Sequence, residues 1–428
     1  MSALKTHPLR QSLNDEAHAR PSLTLPSPAR LSSLAFFFQQ DHGEQRAALI
    51  ELTQLLVLPT PEDGCMEYIG RNEQITVRWS QHTEFVRYTF CLESGAAEPF
   101  LSTAMDAVPE AWLASVPGAL LVGIHAVLLD TRRAAPRDTL CERWFGHRDV
   151  IGSDIADGNA VALTDLRLHD DPRLGAGFSR LVVLNRNMGE RQTGRMLARL
   201  FEIETYRMLA LLALPIAKAQ MHTLDTLGIG LKDITQRLRQ GDTPDGVLLG
   251  ELSDLAVQIE DVISASQYRF SAARAYSALV ARRIEELREQ RLSGVQPFRE
   301  FMERRLAPAM ATCDTVTGRQ ASLTARIQRA TALLRTRVEI EQEQQNQKLL
   351  ASMNRRAELQ LHLQETVEGL SVGVLTYYAV GLLGYGFKAL KAAGVHLNAE
   401  LATGLAIVPV GLVVWAVVGR IKKTIGPH

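Results

Sequence analysis

The sequence predicts an α+β cytoplasmic domain, followed by a helical and coiled-coil stalk and a C-terminal two-helix transmembrane hairpin. Short apolar runs typical of strands fill the first half of the chain, and apolar residues recur at helical spacing in residues 188–365. Two long stretches without a charged residue then follow within residues 366–423. Strands grouped before helices indicate an α+β arrangement.

The hairpin prediction rests on residues 369–387 and 401–419. Each stretch is 19 residues long and contains no charged side chain. A helix needs roughly 20 residues to cross a hydrocarbon core about 30 Å thick. Because lipid offers the backbone no hydrogen-bond partner, two such stretches predict two spanning helices. A buried helical hairpin of a soluble protein is the alternative.

Charges next to these stretches predict the orientation. An even number of crossings puts both termini on one side of the membrane, and the basic residues Arg420, Lys422 and Lys423 follow the second stretch. Basic flanks favour the cytoplasm. Lys388 and Lys391, which we place in the connecting loop, weaken this assignment. We expect both termini in the cytoplasm.

Composition narrows the class of protein. The 47 basic and 47 acidic residues cancel, so the chain as a whole exerts no net attraction on nucleic acid. The four cysteines form no C-x-x-C pair and therefore predict neither a disulfide framework nor a zinc site. Because the N-terminus lacks the apolar core of a signal peptide, we expect the body of the protein to stay in the cytoplasm.

The chain divides into five predicted segments. They are a polar signature with a proline-rich linker (1–30), an α+β domain (31–187), a helical region (188–315), a long stalk helix (316–365) and the hairpin (366–423). Alternating apolar residues at 74–79 and 84–92 predict antiparallel strands. The apolar runs at 119–129 and 180–184 predict central strands.

The stalk carries a coiled-coil-like pattern. Its apolar residues follow 4-3-4-4 spacing at Leu323, Ile327, Ala330, Leu334 and Val338. This pattern, with the small residues of the hairpin, predicts self-association as a homo-oligomer such as a pentamer-like ring.

The N-terminal signature is dense in functional groups. Arg10, Asn14 and His18 are four residues apart and share one face of a predicted helix. With Glu16 and Arg20 they form our candidate ligand site, to which we assign no catalytic residue. A structural clasp, with Glu16 and Arg20 pairing with the body and His18 hydrogen-bonded, is the interpretation that we favour over a ligand site or catalysis. Because Glu16 is two residues from His18, no H-E-x-x-H metal geometry exists, and the metal stays unknown.

Two further clusters favour structure over chemistry. His125 lies in an apolar run and is predicted to be a hydrogen-bonded core histidine, and residues 165–171 are predicted to form a polar turn. The charged stretch 282–291 mixes arginine with glutamate, which is typical of a solvated helix face. Phosphate-binding glycine loops and the G-x-S-x-G elbow of hydrolases are missing from the sequence.

Three stretches resemble an uncharacterised bacterial family of membrane-anchored proteins, a domain of unknown function. The N-terminal pattern L-N-x-E-x-H-A-R-P is matched at residues 13–21, and the runs ETYRMLALLALP (204–215) and TVEGLSV…YY…GL…GY (366–385) are also similar. The resemblance implies a protein anchored in the bacterial inner (plasma) membrane, without indicating an activity.

The layout of the chain is also similar to CorA-type divalent-cation channels. Those are pentamers whose first membrane helix lines the pore and ends in a Y-G-M-N-type loop. Here Tyr385-Gly386 is present, but Phe387 and Lys388 follow instead of Met-Asn. If the chain is a channel, the resemblance implies a divalent cation, and we expect Ser371, Tyr378 and Tyr385 to line the pore.

We therefore predict a membrane-anchored, cytoplasmic-facing oligomeric scaffold or binding protein. The first alternative is a CorA-like ion channel or transporter, and the second is an enzyme that uses the His18 region. We expect a non-enzymatic role and no cofactor. The expected partners are the lipid bilayer and further copies of the chain, with no nucleic acid.

Overall fold

The computed structural model describes residues 4, 6–11, 14, 23–38, 42–146, 149–171, 173–394, 396 and 398–425. The chain forms two compact units, Met1–Ala330 and Thr331–His428. The first unit contains a mixed β-sheet with helices on both faces. The second contains the C-terminal helices. The predicted α+β character of the first half and the helical character of the second half are confirmed.

Among the described residues, the sheet of the first unit has nine strands. They are β1 (Ala29–Phe37), β2 (Glu67–Arg71), β3 (Thr76–Gln81), β4 (Phe85–Leu92), β5 (Ala119–Asp130), β6 (Ile151–Ile155), β7 (Ala160–Thr164), β8 (His169–Asp171) and β9 (Ala176–Asn185). Their order is β2-β3-β4-β1-β5-β9-β7-β6, and β8 pairs with β9. β5 and β9 are parallel, and every other pair among the described strands is antiparallel.

In the described part of the chain, three α-helices accompany the sheet and six more follow it. The first three are α1 (His42–Leu55), α2 (Glu110–Ser115) and α3 (Arg137–Phe145). The later ones are α4 (Glu190–Leu211), α5 (Ala213–Gln240), α6 (Asp245–Leu287), α7 (Phe298–Arg305), α8 (Ala307–Ala392) and α9 (Ala399–Ile425).

One face of the sheet carries an aromatic core. Alternate residues of a strand share a face of the sheet. Tyr88 and Phe90 of β4 therefore lie on this face, and Arg87 and Thr89 lie on the opposite face. Tyr88 and Phe90 both pack against the fully buried Trp112 of α2, with edge-on ring contacts at 5.1 and 6.2 Å. The Trp112 indole nitrogen donates a 2.9 Å hydrogen bond to the Ala48 carbonyl, which joins α2 to α1.

The opposite face of the sheet packs against α4, which in turn packs against α6. The buried residues of α4 recur at helical spacing, as Met196, Leu200 and Ile203 illustrate. The segment before β1 crosses α4 so closely that a Cβ added at Gly194 would lie 1.7 Å from the Leu23 carbonyl oxygen. A glycine is therefore required at this crossing.

The predicted stalk lies within α8, an 86-residue helix that also includes the first apolar stretch. Leu323, Ile327 and Leu334 are buried within the single chain, so these positions of the predicted seam are not available to a second copy. Residues 341–367 are exposed along the whole circumference of the helix. Because α8 continues to Ala392, Lys388 and Lys391 lie on the helix, and the prediction of a loop there is wrong.

In the second unit the apolar end of α8 runs antiparallel to α9. A Cβ added at Gly384 would lie 3.2 Å from Thr403 Cγ2, and one added at Gly411 would lie 3.6 Å from Thr376 Cγ2. Small residues thus allow the two helices to approach each other. Both helices contain a stretch long and apolar enough to cross a membrane, and no residue of either stretch is buried.

Candidate functional site

The predicted N-terminal site lies largely outside the described residues. Glu16, His18 and Arg20 are not described, whereas Arg10 and Asn14 are helical and exposed. The Arg10 backbone N–H donates a 3.0 Å hydrogen bond to the His7 carbonyl. A ligand site formed by these five residues therefore stays a prediction.

The predicted pore residues share one exposed face of α8. Tyr378 and Tyr385 are 64% and 74% exposed, and Ser371 is exposed while its hydroxyl donates to the Val367 carbonyl. Their seven-residue spacing places them on a different face from Thr376 and Gly384, which contact α9. The three residues share this face without contacting one another, and their role in a pore stays a prediction.

His125 is a buried core histidine, as its apolar neighbours predicted. Its Nδ1 lies 2.9 Å from the Ser32 hydroxyl, and its Nε2 lies 3.3 Å from an Asp171 carboxylate oxygen. Its ring stacks on Phe178 at 4.2 Å. The sheet register sets this arrangement, because His125 of β5 lies directly opposite Ser32 of β1.

Ser32, His125 and Asp171 contact one another in the order of a catalytic triad, but their surroundings favour a structural role. Ser32 is fully buried, so no substrate can reach its hydroxyl. Asp171 also accepts hydrogen bonds from Arg173, which pairs with Asp106 as well. The prediction of a turn over residues 165–171 is wrong at its end, where His169–Asp171 forms β8.

The electrostatics of His125 also keep it neutral. Burial lowers the pKa of His125, and the nearby Arg180 adds to this effect, while the Asp171 carboxylate opposes it. In the neutral tautomer that carries its proton on Nε2, this proton faces the Asp171 carboxylate. Nδ1 can then accept a hydrogen bond from the Ser32 hydroxyl. The triad is therefore a buried polar cluster of the core, in which the Nε2–Asp171 contact at 3.3 Å is an ion-pair distance without hydrogen-bond geometry.

A more open site lies where the β3–β4 turn meets α4 and α6. A cavity of about 380 Å³ is lined there by Glu67, Gln81, His82, Tyr206, Tyr276 and Arg283, among others. Small-molecule sites typically enclose about 300–1,000 Å³. We call this cavity the turn cleft.

Aromatic rings form one wall of the turn cleft. His82 stacks on Phe85 at 4.1 Å, because the tight turn between them is closed by a 2.9 Å hydrogen bond from the His82 N–H to the Phe85 carbonyl. Phe85 meets Tyr206 edge-on at 6.4 Å, and Tyr206 stacks on Tyr276 at 5.7 Å. The four rings join the sheet to both helices.

Behind this wall, a buried carboxylate holds α6 against the sheet. Glu84 accepts hydrogen bonds from both terminal nitrogens of Arg269 and from the Tyr268 hydroxyl at 3.3 Å. Burial alone would raise the pKa of Glu84, but hydrogen bonds from Arg269 and Tyr276 outweigh it and lower the pKa. Burial and the charge of Glu84 raise the pKa of Tyr276, so its phenol stays protonated as a donor.

A second charged cluster borders the turn cleft. Glu202 of α4 pairs with Arg87 of the sheet at 3.4 Å and with Arg283 of α6. Glu286 of α6 pairs with Arg283, Arg199 and Arg282. The two carboxylates thus form ion pairs with four guanidinium groups, so the cluster has a net positive charge. The Arg87 side chain is 5% exposed, and its Nη1 has no hydrogen-bond partner among the described residues.

This site is not predicted from the sequence. The expectation of a solvated helix face over residues 282–291 is wrong for Arg283 and Glu286, whose side chains are only 22% and 27% exposed. The sequence does contain a signal of this site. Arg87 is a charged residue within an apolar strand, and Glu202 is a charged residue within an apolar helix. The stretch 204–215, which we had singled out for its resemblance, contributes Tyr206 to the cleft wall.

We expect a pH-dependent loss of stability from His125. Its pKa is about 4 in the folded chain against an ordinary 6.5, so below pH 6.5 the unfolded chain binds the additional proton. Between pH 7 and pH 5 the free energy of unfolding should fall by about 2 kcal/mol from this residue alone. Urea unfolding of the natural chain and of His125→Gln, at both pH values, measures the difference. Equal losses in the two chains would contradict the assignment.

Comparison with known proteins gives the family and no activity. Among the described residues, no group of three or more histidine, cysteine, aspartate or glutamate side chains is placed to hold a metal ion. No curated protein matches the chain. The model of the family described as Protein of unknown function (DUF3422) matches residues 5–425, nearly the whole chain. The expected membership is confirmed: the chain belongs to the DUF3422 family.

Proposed function

We propose that the protein is a membrane-anchored binding protein or scaffold, with its body on the cytoplasmic face of the bacterial inner membrane. The observation that carries this proposal is the pair of long apolar helices, α8 and α9, whose apolar stretches have no buried residue. Their outer faces expose large side chains such as Leu382, Leu405 and Trp415, which are 72%, 74% and 68% exposed.

A lipid bilayer accounts for this exposure. Apolar surface in water costs about 25 cal/mol per Å², and soluble monomers rarely expose contiguous apolar patches above a few hundred Å². In lipid the same surface is solvated, and helical backbone hydrogen bonds are satisfied internally. The antiparallel course of α8 and α9 supports a hairpin that enters and leaves on one side. The basic residues after the second stretch favour the cytoplasm for that side.

The body supports binding over catalysis. Its turn cleft has the volume of a small-molecule site, a rigid aromatic wall and a surplus of guanidinium groups. The Ser32–His125–Asp171 cluster is closed to substrates. The proposed anchor would tether this body to the membrane, and copies of the chain would associate through the hairpin.

One observation favours the CorA-like channel as a second candidate. Ser371, Tyr378 and Tyr385 form an exposed stripe on α8 that α9 does not cover. In a ring of copies such a stripe can face a common axis. Lys388 follows the stripe by less than one turn and would repel a divalent cation there.

Cysteine labelling in intact cells tests the anchor. We expect a membrane-impermeant maleimide to label Asn398→Cys, which lies between α8 and α9, from outside the inner membrane. Ser352→Cys, on the exposed stalk, should be labelled only after lysis, because the reagent cannot reach the cytoplasm. Both positions are exposed, so accessibility within the chain is matched.

The natural chain, with its four cysteines, supplies the background signal before and after lysis. Labelling of both variants in intact cells, or of neither before lysis, would contradict the proposed hairpin.

Flux of Mg²⁺ into vesicles that contain the purified chain separates the two candidates. The binding-protein proposal predicts no flux above that of empty vesicles. A flux that Tyr385→Ala changes and that the exposed body substitution Ile229→Ala does not change would establish the channel instead.

A further inference from the structure

We infer that the turn cleft binds a small organic anion that contains a planar ring. This inference rests on the proposed binding function and names the class of ligand. The ring would lie along the wall formed by His82, Tyr206 and Tyr276, and the negative group would face Arg283.

The wall is suited to a planar ring because its own rings are fixed. Tyr206 is buried and stacks on Tyr276 at an angle of 22°. Burial raises the pKa of the Tyr276 phenol, and the buried Glu84 carboxylate, which accepts hydrogen bonds from Arg269 and Tyr268, lies near enough to raise it further. A ring that is already packed against a second ring loses little conformational freedom when a ligand ring packs against it.

Arg283 has a donor group left for a ligand. Its Nε donates to Glu202, and its Nη1 donates to Glu286 at 2.9 Å. Within the described part of the chain, Nη2 makes no hydrogen bond at all, while the side chain is 22% exposed at the cleft. The two carboxylates therefore hold the guanidinium in place at the cleft lining and leave its third nitrogen for a ligand, and charge-assisted hydrogen bonds to a carboxylate are strong.

The charge balance favours an anion. Arg87 sits behind Glu202, with its side chain 95% buried and its Nη1 unpartnered among the described residues. A buried guanidinium with an unused N–H leaves positive potential that the single shared carboxylate of Glu202 does not neutralise. On the other side, Glu67 is paired with Arg78 at 3.2 Å and contributes no net charge.

Together these features select the ligand by two separate criteria. The rings require a flat, apolar body, and the guanidinium groups require a negative charge at one end of that body. A neutral ring would leave Arg283 Nη2 unused, and a flexible aliphatic anion would not match the wall.

Calorimetric titration of the full chain in lipid nanodiscs tests the inference. The probes are 4-hydroxybenzoate and 2-naphthoate, each with a ring and a carboxylate. The neutral 4-hydroxybenzamide and the non-planar cyclohexanecarboxylate are the matched comparisons. We expect both ring carboxylates to bind. The neutral benzamide should bind about tenfold more weakly or worse because it has no negative charge to pair with Arg283. Cyclohexanecarboxylate should also bind about tenfold more weakly or worse because it presents no flat ring to the aromatic wall.

Two variants locate the binding. Leu279→Trp fills the cleft without removing any charged group, and it should weaken binding of 4-hydroxybenzoate by at least tenfold. Ile229→Trp adds the same ring on an exposed face of α5 and should bind as the natural chain does. Circular dichroism of each variant checks that it is folded.

The inference is overturned if neither ring carboxylate binds, if the benzamide binds as tightly as the benzoate, or if Leu279→Trp binds normally. These outcomes leave the cysteine-labelling pattern unchanged, so a wrong ligand class is distinguishable from a wrong anchor. Failure of the anchor with retained cleft binding would overturn only the proposed location.

Discussion

The ion pair between Glu84 and Arg269 fixes the geometry on which the rest of the first unit depends. Both side chains are nearly inaccessible, at 7% and 12% exposure, and they join the β3–β4 turn to the middle of α6. A charge buried without its partner is costly, so α6 has one favourable position on the sheet. The lowered pKa of Glu84 means that this constraint is complete at neutral pH and is lost only in acid, below the ordinary carboxylate pKa.

From this pair the architecture of the turn cleft follows. With α6 in place, Tyr276 reaches Glu84 and stacks on Tyr206, and Arg283 reaches Glu202. Two side chains of this network, Tyr276 and Arg283, also line the turn cleft that we propose for binding. The proposed binding function would account for a charged layer at a place where an apolar interface can be equally stable.

Much of the fold could be predicted, because local patterns encode it. Alternation at residues 84–92 and helical spacing in the second half lead directly to β4 and to the long helices. The parallel pairing of β5 with β9, and the short strands β2 and β8, could not be predicted, since long-range pairing leaves no mark within a strand. The turn cleft was missed for the same reason: Arg87, Glu202 and Arg283 are distant in sequence, and each alone resembles a surface charge. His125 was predicted correctly because its own apolar neighbours indicate burial.

A double-mutant cycle on Glu84 and Arg269 tests the central claim most directly. Urea unfolding of the full chain, followed by tryptophan fluorescence, would be measured for Glu84→Gln, Arg269→Met and the double variant. Each single change should lower the free energy of unfolding by roughly 3 kcal/mol, because it leaves the partner buried and unpaired. The double variant should lose clearly less than the two single losses added together. Additive losses would show that the two side chains act independently and would contradict the account.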